Sequence, residues 1–121
     1  MIKTKRVYEV YEQSDGLRFL IDRLWPRGIK KEQLKLESWL RDIAPSDELR
    51  RWFSHDPAKW EEFKKRYFQE IRDKPDYKKL VELAKNNDIT LLYSSKEQIY
   101  NNASALKGFM EDELKKSGTH E

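Results

Sequence analysis

The sequence predicts a small α/β fold in which helices flank a short, mixed and mostly parallel sheet with an antiparallel edge hairpin. Two observations predict this class. Short runs such as "KRVYEVYE" and "ITLLY" are typical of strands, and the segments between them carry apolar residues at helical spacing. A chain of 121 residues is long enough for one hydrophobic core and too short for two ordinary domains, so we expect a single domain over residues 1–121.

The composition indicates a folded protein without cysteine chemistry. Charged residues make up 39% of the chain, but four Trp, six Tyr and five Phe supply the large apolar side chains that disordered chains lack. Cysteine is absent, which excludes disulfides, thiolate metal sites and a cysteine nucleophile. No apolar run approaches the roughly 18 residues that span a bilayer. We therefore expect a soluble cytoplasmic protein with no membrane partner.

Positive charge is concentrated at the front of the chain, whose net charge is +3. Residues 1–31 hold eight Lys or Arg against four Asp or Glu. Such an excess can attract phosphate, nucleic acid or an anionic metabolite. Elsewhere Lys and Glu alternate along the predicted helices, which is typical of a solvated surface.

The first two predicted strands form the edge hairpin. Residues 5–12 alternate β-branched or aromatic residues with charges, and Asp15-Gly16 is a turn pair that accepts a positive φ. The chain returns through residues 18–24, where the consecutive apolar run "FLI" is typical of a strand covered on both faces. The proline and glycine of the following "WPRG" end this strand.

A third strand and two helices are predicted next. Residues 36–43 are assigned to a strand, although their apolar residues also match helical spacing. Ser46 is the predicted N-cap of a short helix, and Asp56 caps a longer helix that Pro57 opens. The longer helix carries an apolar stripe made of Trp60, Phe63, Tyr67 and Ile71.

The last third predicts two more helices around a strand. Pro75 ends the preceding helix, and Asp76 is the predicted cap of the next one. Residues 89–93 form a second buried strand. The last helix is amphipathic and frays into a tail of about residues 115–121. Its apolar residues are Ala103, Leu106, Met110 and Leu114.

The predicted topology indicates where a ligand site would lie. In open α/β sheets, ligands bind outside the carboxyl ends of the parallel strands. Three segments follow predicted strands: residues 22–28, 42–46 and 94–96. We expect them to converge on one cleft.

The residues after the first buried strand each have two interpretations. Asp22 is a candidate general base or ligand anchor, or one half of a structural ion pair. The candidate partners of that pair are Arg23, Arg27 and Arg50. Arg23 and Arg27 can also bind a carboxylate or phosphate through two hydrogen bonds. Trp25 is either a wall of the cleft or a plug in the core.

The other two segments supply further candidates. Ser46 either binds an anion at its helix start, acts as a nucleophile, or only caps the helix. Ser94 and Lys96 are placed to meet an anion, although a solvated turn accounts equally well for Lys96. Asn101 or its neighbour Asn102 either caps the last helix or turns toward the cleft.

Histidine and glycine bear on metals and cofactors. His55 is a candidate proton donor or acceptor near neutral pH, or a packing residue. The second histidine, His120, stands in the predicted tail, and one internal histidine does not build a multi-histidine metal site. The four glycines are scattered and form no loop that cradles a phosphate. The sequence therefore predicts no metal and no cofactor.

Three stretches are distinctive when taken together: "VYEVYE…DGLRFLIDRLWPRGIKK", "W…APSDELRRWFSHDPAKWEEFKKRY" and "TLLYSSKE…NNA". They resemble the YeaO-like branch of the bacterial domain-of-unknown-function family numbered 488, over about residues 5–114. The resemblance implies a small α/β fold and a candidate site, and it implies no reaction. The implied site residues are Asp22, Arg23, Trp25, Arg27, Ser46, Arg50, His55 and Lys96.

The chain departs from this resemblance in two places. Where relatives tend to read Tyr-Ala-Ala-Lys-Asp, this chain has Tyr93-Ser94-Ser95-Lys96-Glu97. Where they tend to read Asn-His-Ala, it has Asn101-Asn102-Ala103. The missing histidine weakens any mechanism or metal site that would pair it with His55.

The leading hypothesis is a polar cleft that binds a small anionic molecule, with enzymatic action on that molecule left open. Arg23, Arg27 and Lys96 hold the negative charge, and Asp22 or His55 moves a proton. The alternative is a module that binds nucleic acid or protein through the basic N-terminal third, with the motif residues structural. The small anion is favoured over nucleic acid, and no oligomeric state is indicated.

Overall fold

A four-stranded parallel sheet forms the centre of the fold in residues 1–118, the part of the chain that the computed structural model describes. Its strands are β1 (Ile2–Arg6), β2 (Leu17–Leu20), β3 (Ser38–Trp39) and β4 (Ile89–Tyr93). The order across the sheet is β1-β4-β2-β3, and each neighbouring pair runs parallel. The predicted α/β class is confirmed.

The predicted antiparallel edge hairpin is wrong. β4 lies between β1 and β2 and pairs with both in parallel, because its five residues are all buried and suit the centre of a sheet. The first strand is also displaced from the predicted residues 5–12, since the chain leaves the sheet after Arg6. Gly16 lies in the connection between β1 and β2, which do not pair with each other as a hairpin would require. Its φ is 67°, and a Cβ there would lie 2.2 Å from the Asp88 carbonyl oxygen, so only glycine fits.

Five α-helices accompany the sheet in the described residues. They are α1 (Lys31–Leu34), α2 (Asp47–Phe53), α3 (Trp60–Ile71), α4 (Pro75–Ala84) and α5 (Asn102–Gly118). The cap predicted at Ser46 is confirmed, whereas Asp56 caps the 3₁₀ turn Pro57–Lys59 and not the longer helix itself. The Ser46 hydroxyl accepts a hydrogen bond from the Leu49 amide at 3.1 Å, and the Asp56 carboxylate accepts one from the Ala58 amide at 3.0 Å, in the 3₁₀ turn that precedes α3.

Three further predicted boundaries are wrong. The strand predicted over residues 18–24 is Leu17–Leu20, so it ends well before the WPRG stretch. The strand assigned to residues 36–43 is only Ser38–Trp39, and a 3₁₀ turn at Arg41–Ile43 follows it, in keeping with the helical spacing of that stretch. Asp76 does not cap α4. Instead Pro75 is the first residue of that helix, because its fixed φ and missing N–H suit this position.

The end of the chain differs from the prediction as far as it is described. The helix α5 continues to Gly118, so residues 115–118 of the predicted tail are helical. Residues 119–121, which include His120, lie outside the described part of the chain.

Both faces of the sheet are covered, as the run of consecutive apolar residues predicts. Phe19 and Ile21 pack on the helix side, in one buried cluster with Phe63 and Tyr67 of α3. Leu20 points the other way, into a smaller cluster. Its buried members are Val7, Leu20, Leu34 and Leu92. The larger cluster forms the floor beneath the carboxyl ends of β2 and β4.

A buried carboxylate, Asp15, gathers three cations of the basic front. It is fully buried and accepts hydrogen bonds from Lys3 at 2.9 Å, from Lys5 at 3.1 Å and from Arg18. Burial by itself raises the pKa of Asp15, but hydrogen bonds from these cations and from the Glu12 amide outweigh it and hold the pKa well below its ordinary value. These three positive charges are therefore directed into the fold.

Candidate functional site

A cleft of 500 Å³, here called the strand-end cleft, opens at the carboxyl ends of β2 and β4. Each of the three predicted segments contributes to it: Asp22 and Arg23 after β2, Ala44 and Pro45 before α2, and Ser94 after β4. Its polar lining residues include Asp22, Arg23, Arg50, Arg51, His55, Ser94, Ser95 and Asn102. The rule that ligands lie beyond strand ends therefore leads to an actual hollow.

Asp22 joins three elements at the base of the strand-end cleft. Its Oδ2 accepts hydrogen bonds from the amide and the hydroxyl of Ser94, each at 2.8 Å. Its Oδ1 accepts one from the Asn102 side-chain amide at 3.3 Å. The ion pair predicted for Asp22 is not formed, and its partners are neutral donors from the end of β4 and the start of α5.

Aromatic rings form the floor of the strand-end cleft. The rings of Phe53 and Phe63 stack with their centroids 4.1 Å apart. The Tyr67 hydroxyl donates to the Ile43 carbonyl at 2.6 Å. Burial raises the pKa of Tyr67, and the negative charge of Asp22 raises it further. Tyr67 therefore keeps its proton and supports the cleft from below.

Three arginines give the strand-end cleft its positive charge. Asp47, in the first turn of α2, lies between two of them, 3.4 Å from Arg23 Nη1 and 2.9 Å from Arg50 Nη2. Both guanidinium side chains remain about half exposed, at 48%. Within residues 1–118, the side chain of Arg51 has no hydrogen-bond or ion-pair partner. The only lining carboxylate among the described residues is Asp22.

His55 enters the cleft from a strained stretch of backbone. It and Ser54 both have left-handed φ values, 54° and 46°, which residues with a Cβ seldom adopt. His55 Nδ1 lies 2.9 Å from the Tyr100 carbonyl oxygen, which can only accept, so Nδ1 carries the hydrogen. The other ring nitrogen, Nε2, lies 3.5 Å from Ser95 Oγ. Nε2 is therefore the ring nitrogen that can accept a hydrogen bond on the side of the cleft.

The loop after β4 is held from both ends. Arg6 donates to the Ser95 carbonyl at 2.8 Å and to the Ser94 carbonyl at 3.1 Å. Glu97 accepts hydrogen bonds from the amides of Ile99 and Tyr100, and these bonds lower its pKa. The serines are thus positioned by β1 and by the loop itself.

A second hollow of 590 Å³, here called the Ser46 cleft, lies beside the first. Its lining residues are Arg23, Arg41, Asp42, Ala44, Ser46, Glu70 and Lys74. Ser46 donates its amide and its hydroxyl to the two carboxylate oxygens of Glu70, at 2.9 and 2.7 Å. The anion predicted at this helix start is therefore supplied by the chain itself. The strand-end cleft, with His55, does not include Ser46.

Besides Ser46, four predicted site residues lie away from the strand-end cleft. Trp25 donates to the Ile29 carbonyl at 2.7 Å and packs against the second buried cluster, so it occupies the predicted plug position. Arg27 and Lys96 are exposed and line neither cleft. Asn101 is buried and accepts from the Ser104 amide at 2.9 Å, which makes it a cap of α5.

The sequence interpretation missed two residues of this site. Arg51 lines the cleft beside Arg50, and the adjacent arginines in "LRRWF" were a signal for it. Arg6 holds the serine loop, and a single arginine at a strand end gives no such signal. Asn102, the alternative to Asn101, is the asparagine that faces the cleft.

A larger hollow of 840 Å³ between α3 and α5 is a weaker candidate. It is lined by acids and lysines of these two helices, and one such pair, Lys64 with Glu61, forms an ion pair along α3. The strand-end cleft is smaller, but strand-end groups and unpaired positive charge converge on it.

Across residues 1–118, no three His, Asp or Glu side chains come together as a metal site requires. No helix in the same residues has the length and apolar content to cross a membrane.

Comparison with known proteins gives a family and several relatives. The family model described as the inactive DUF488-N3 subclade matches residues 1–121. The uncharacterized protein YeaO of Escherichia coli K12 is 44% identical over 90% of this chain and 96% of its own length. The uncharacterized protein Rv3073c of Mycobacterium tuberculosis H37Rv is 35% identical over 87% of this chain and 89% of its own. No solved structure matches the chain significantly.

Proposed function

The chain belongs to the YeaO-like branch of the DUF488 family, and from that premise we propose that it binds a small phosphate- or carboxylate-bearing molecule in the strand-end cleft without transforming it. The subclade that matches the chain is described as inactive, which favours binding over catalysis.

The observation that carries the proposal is the excess of positive charge in the strand-end cleft. Arg23, Arg50 and Arg51 line it, against the single lining carboxylate of Asp22. Even when Asp47 is counted, the guanidinium groups outnumber the carboxylates. A guanidinium presents a planar set of donors that matches the oxygens of a carboxylate or phosphate. The cleft is therefore suited to a small anion.

The bonding of Asp22 supports binding over proton transfer. A general base needs a lone pair that is aimed at the substrate. Three of the roughly four lone-pair sites of the Asp22 carboxylate already accept hydrogen bonds from Ser94 and Asn102. We therefore assign Asp22 to holding the cleft together.

The contacts of the Lys and Arg side chains in residues 1–31 argue against the alternative, a nucleic-acid surface on the N-terminal third. Four of its eight cations are engaged inside the fold. They are Lys3, Lys5 and Arg18, which surround Asp15, and Arg6, which holds the serine loop. The exposed charge that remains is too little for an extended phosphate-binding surface.

The proposal is tested by anion binding to an arginine variant and a matched control. Orthophosphate and citrate, added at constant ionic strength, should raise the melting temperature of the parent protein, since a ligand that binds the native state stabilises it. Arg51→Ala should weaken binding about tenfold or more, as expected for a lost hydrogen bond to a charged group. Arg27→Ala removes the same charge outside the cleft and should bind as the parent does.

If Arg51→Ala and Arg27→Ala bind the anions equally well, the proposal is contradicted, because a positive charge anywhere on the surface would then act as well as one in the cleft. Turnover of a bound molecule by the parent protein would contradict its second part, the absence of transformation.

A further inference from the structure

The strand-end cleft and the Ser46 cleft meet at Arg23. Arg23 and Ala44 line both hollows, so one guanidinium borders two spaces of similar size, 500 and 590 Å³. Each cleft also has cations of its own. Arg50 and Arg51 belong to the first, and Arg41 and Lys74 belong to the second. Positive charge therefore continues from one cleft to the other.

Arg23 is held loosely enough to serve either side. Its nearest carboxylate oxygen, on Asp47, is 3.4 Å away, a distance at which the attraction is mainly electrostatic. The same carboxylate accepts a hydrogen bond from Arg50 Nη2 at 2.9 Å. A carboxylate thus already lies between two arginines at the border of the clefts, which indicates that this spacing accommodates an anionic group.

The Ser46 cleft is less positive than the first but still favours an anion. Arg41 lies over the Trp39 ring at 4.7 Å, and Lys74 donates to the Asp42 carbonyl at 2.6 Å. Of the two lining carboxylates, Glu70 directs its oxygens to Ser46, and Asp42 is the remaining negative charge. With Arg23 counted, three cations face two carboxylates.

We propose that the natural ligand carries two anionic groups in series, and that it lies across both clefts with Arg23 between the two groups. The chemical class is a molecule with two phosphates in series, joined directly in a nucleoside polyphosphate or through a sugar in a short phosphodiester chain. This inference rests on the proposed function, since it extends the same anion site. A ligand with one phosphate fills only one of the two clefts.

The test compares a short and a long phosphate on variants of each cleft. Orthophosphate and tripolyphosphate are titrated by calorimetry at constant ionic strength into the parent, Arg51→Ala, Arg41→Ala and the control Arg27→Ala. The side chains of these arginines are exposed and donate no hydrogen bond within the described residues, so the variants should fold. Arg51→Ala should weaken both probes. Arg41→Ala should weaken tripolyphosphate about tenfold and leave orthophosphate unchanged.

The outcomes separate this inference from the proposed function. If Arg51→Ala weakens both probes while Arg41→Ala changes neither, the ligand is confined to the strand-end cleft, and the inference fails while the proposed function stands. If the parent binds neither probe, both fail. If Arg51→Ala weakens both probes and Arg41→Ala weakens tripolyphosphate alone, the result supports both the inference and the proposed function.

A second comparison separates the two sources of consecutive phosphates. Adenosine monophosphate, adenosine diphosphate and a short single-stranded oligonucleotide are titrated into the parent protein. A preference for the diphosphate or for the oligonucleotide over the monophosphate supports the inference, and a steep fall of affinity with salt identifies the phosphodiester chain. Equal affinity for the monophosphate and the diphosphate, with none for the oligonucleotide, would contradict it.

Discussion

Asp22 is the single residue on which the strand-end cleft most depends. Its carboxylate accepts two hydrogen bonds from Ser94 and one from Asn102. Asp22→Ala would leave these donors without their partner at the junction of β2, β4 and α5. We expect the free energy of unfolding to fall by about 2–3 kcal/mol, the range for lost hydrogen bonds to a charged group, measured by urea denaturation.

Ser94→Ala is the matched comparison for Asp22. This change removes the hydroxyl but keeps the hydrogen bond that the backbone amide of residue 94 donates to Asp22. We therefore expect a smaller fall in the free energy of unfolding, about 1 kcal/mol. If Asp22→Ala unfolds at the same urea concentration as the parent, Asp22 does not hold the strand ends. Its carboxylate would then be free to act on a ligand, as the catalytic interpretation requires.

Among the elements, α2 shows how one helix start is fixed by another helix. Ser46 caps α2 and also donates to Glu70 of α3 at 2.9 and 2.7 Å. Ser46→Ala should cost about 1 kcal/mol for the lost cap. The double variant with Glu70→Ala should cost less than the sum of the single variants, because both changes remove the same contact. Thermal or urea denaturation of the four proteins measures this coupling.

The exposed neighbour Gln69 provides the control for this cycle. Ser46→Ala and Gln69→Ala should have additive effects, since no contact joins the two side chains. Additive effects for Ser46→Ala with Glu70→Ala would mean that the two helices are not coupled through this pair.

The elements that were predicted correctly are those that depend on neighbouring residues. The cap at Ser46 needs only the Leu49 amide three residues on, so the sequence alone is sufficient. Its second partner, Glu70, is 24 residues away and gives no local signal. The turn at Asp15-Gly16 was visible for the same reason, but the strand that pairs with β1 is β4, more than 80 residues later. Local turn chemistry does not determine that pairing, so the hairpin prediction failed.

For the molecule as a whole, the position of the cleft was more predictable than the topology. The strand-end rule requires only that strands run parallel, and it brought Asp22, Pro45 and Ser94 to one cleft although the predicted antiparallel hairpin of the first two strands was wrong. The rule loses force a few residues further on. Trp25 turns away because its ring packs against Trp39, at 5.3 Å, on the opposite face of the sheet.

The buried charges around Asp15 link the crossover to three strands. Lys3 and Lys5 come from β1, Arg18 comes from β2, and Thr90 of β4 donates to the Asp15 carbonyl at 2.7 Å. Asp15→Asn would leave buried cations without their counter-charge. We expect a loss of about 3–5 kcal/mol at neutral pH, the range for a broken buried ion pair.

The effect of Asp15→Asn should depend on pH in a direction that follows from the pKa. The pKa of Asp15 is lower in the folded protein than in the unfolded chain, where it is about 4. Its charge therefore stabilises the fold above that value, and the stabilisation is lost as the pH falls toward the folded pKa. The stability difference between parent and Asp15→Asn should be constant from about pH 5 to 8 and should narrow in acid.

Asp73→Asn, the same change at an exposed position, should leave the parent's stability nearly unchanged at every pH. Urea denaturation across this pH range measures both differences, and a gap that stays constant or widens as the pH falls toward 2 would mean that the charge of Asp15 does not hold the three strands together.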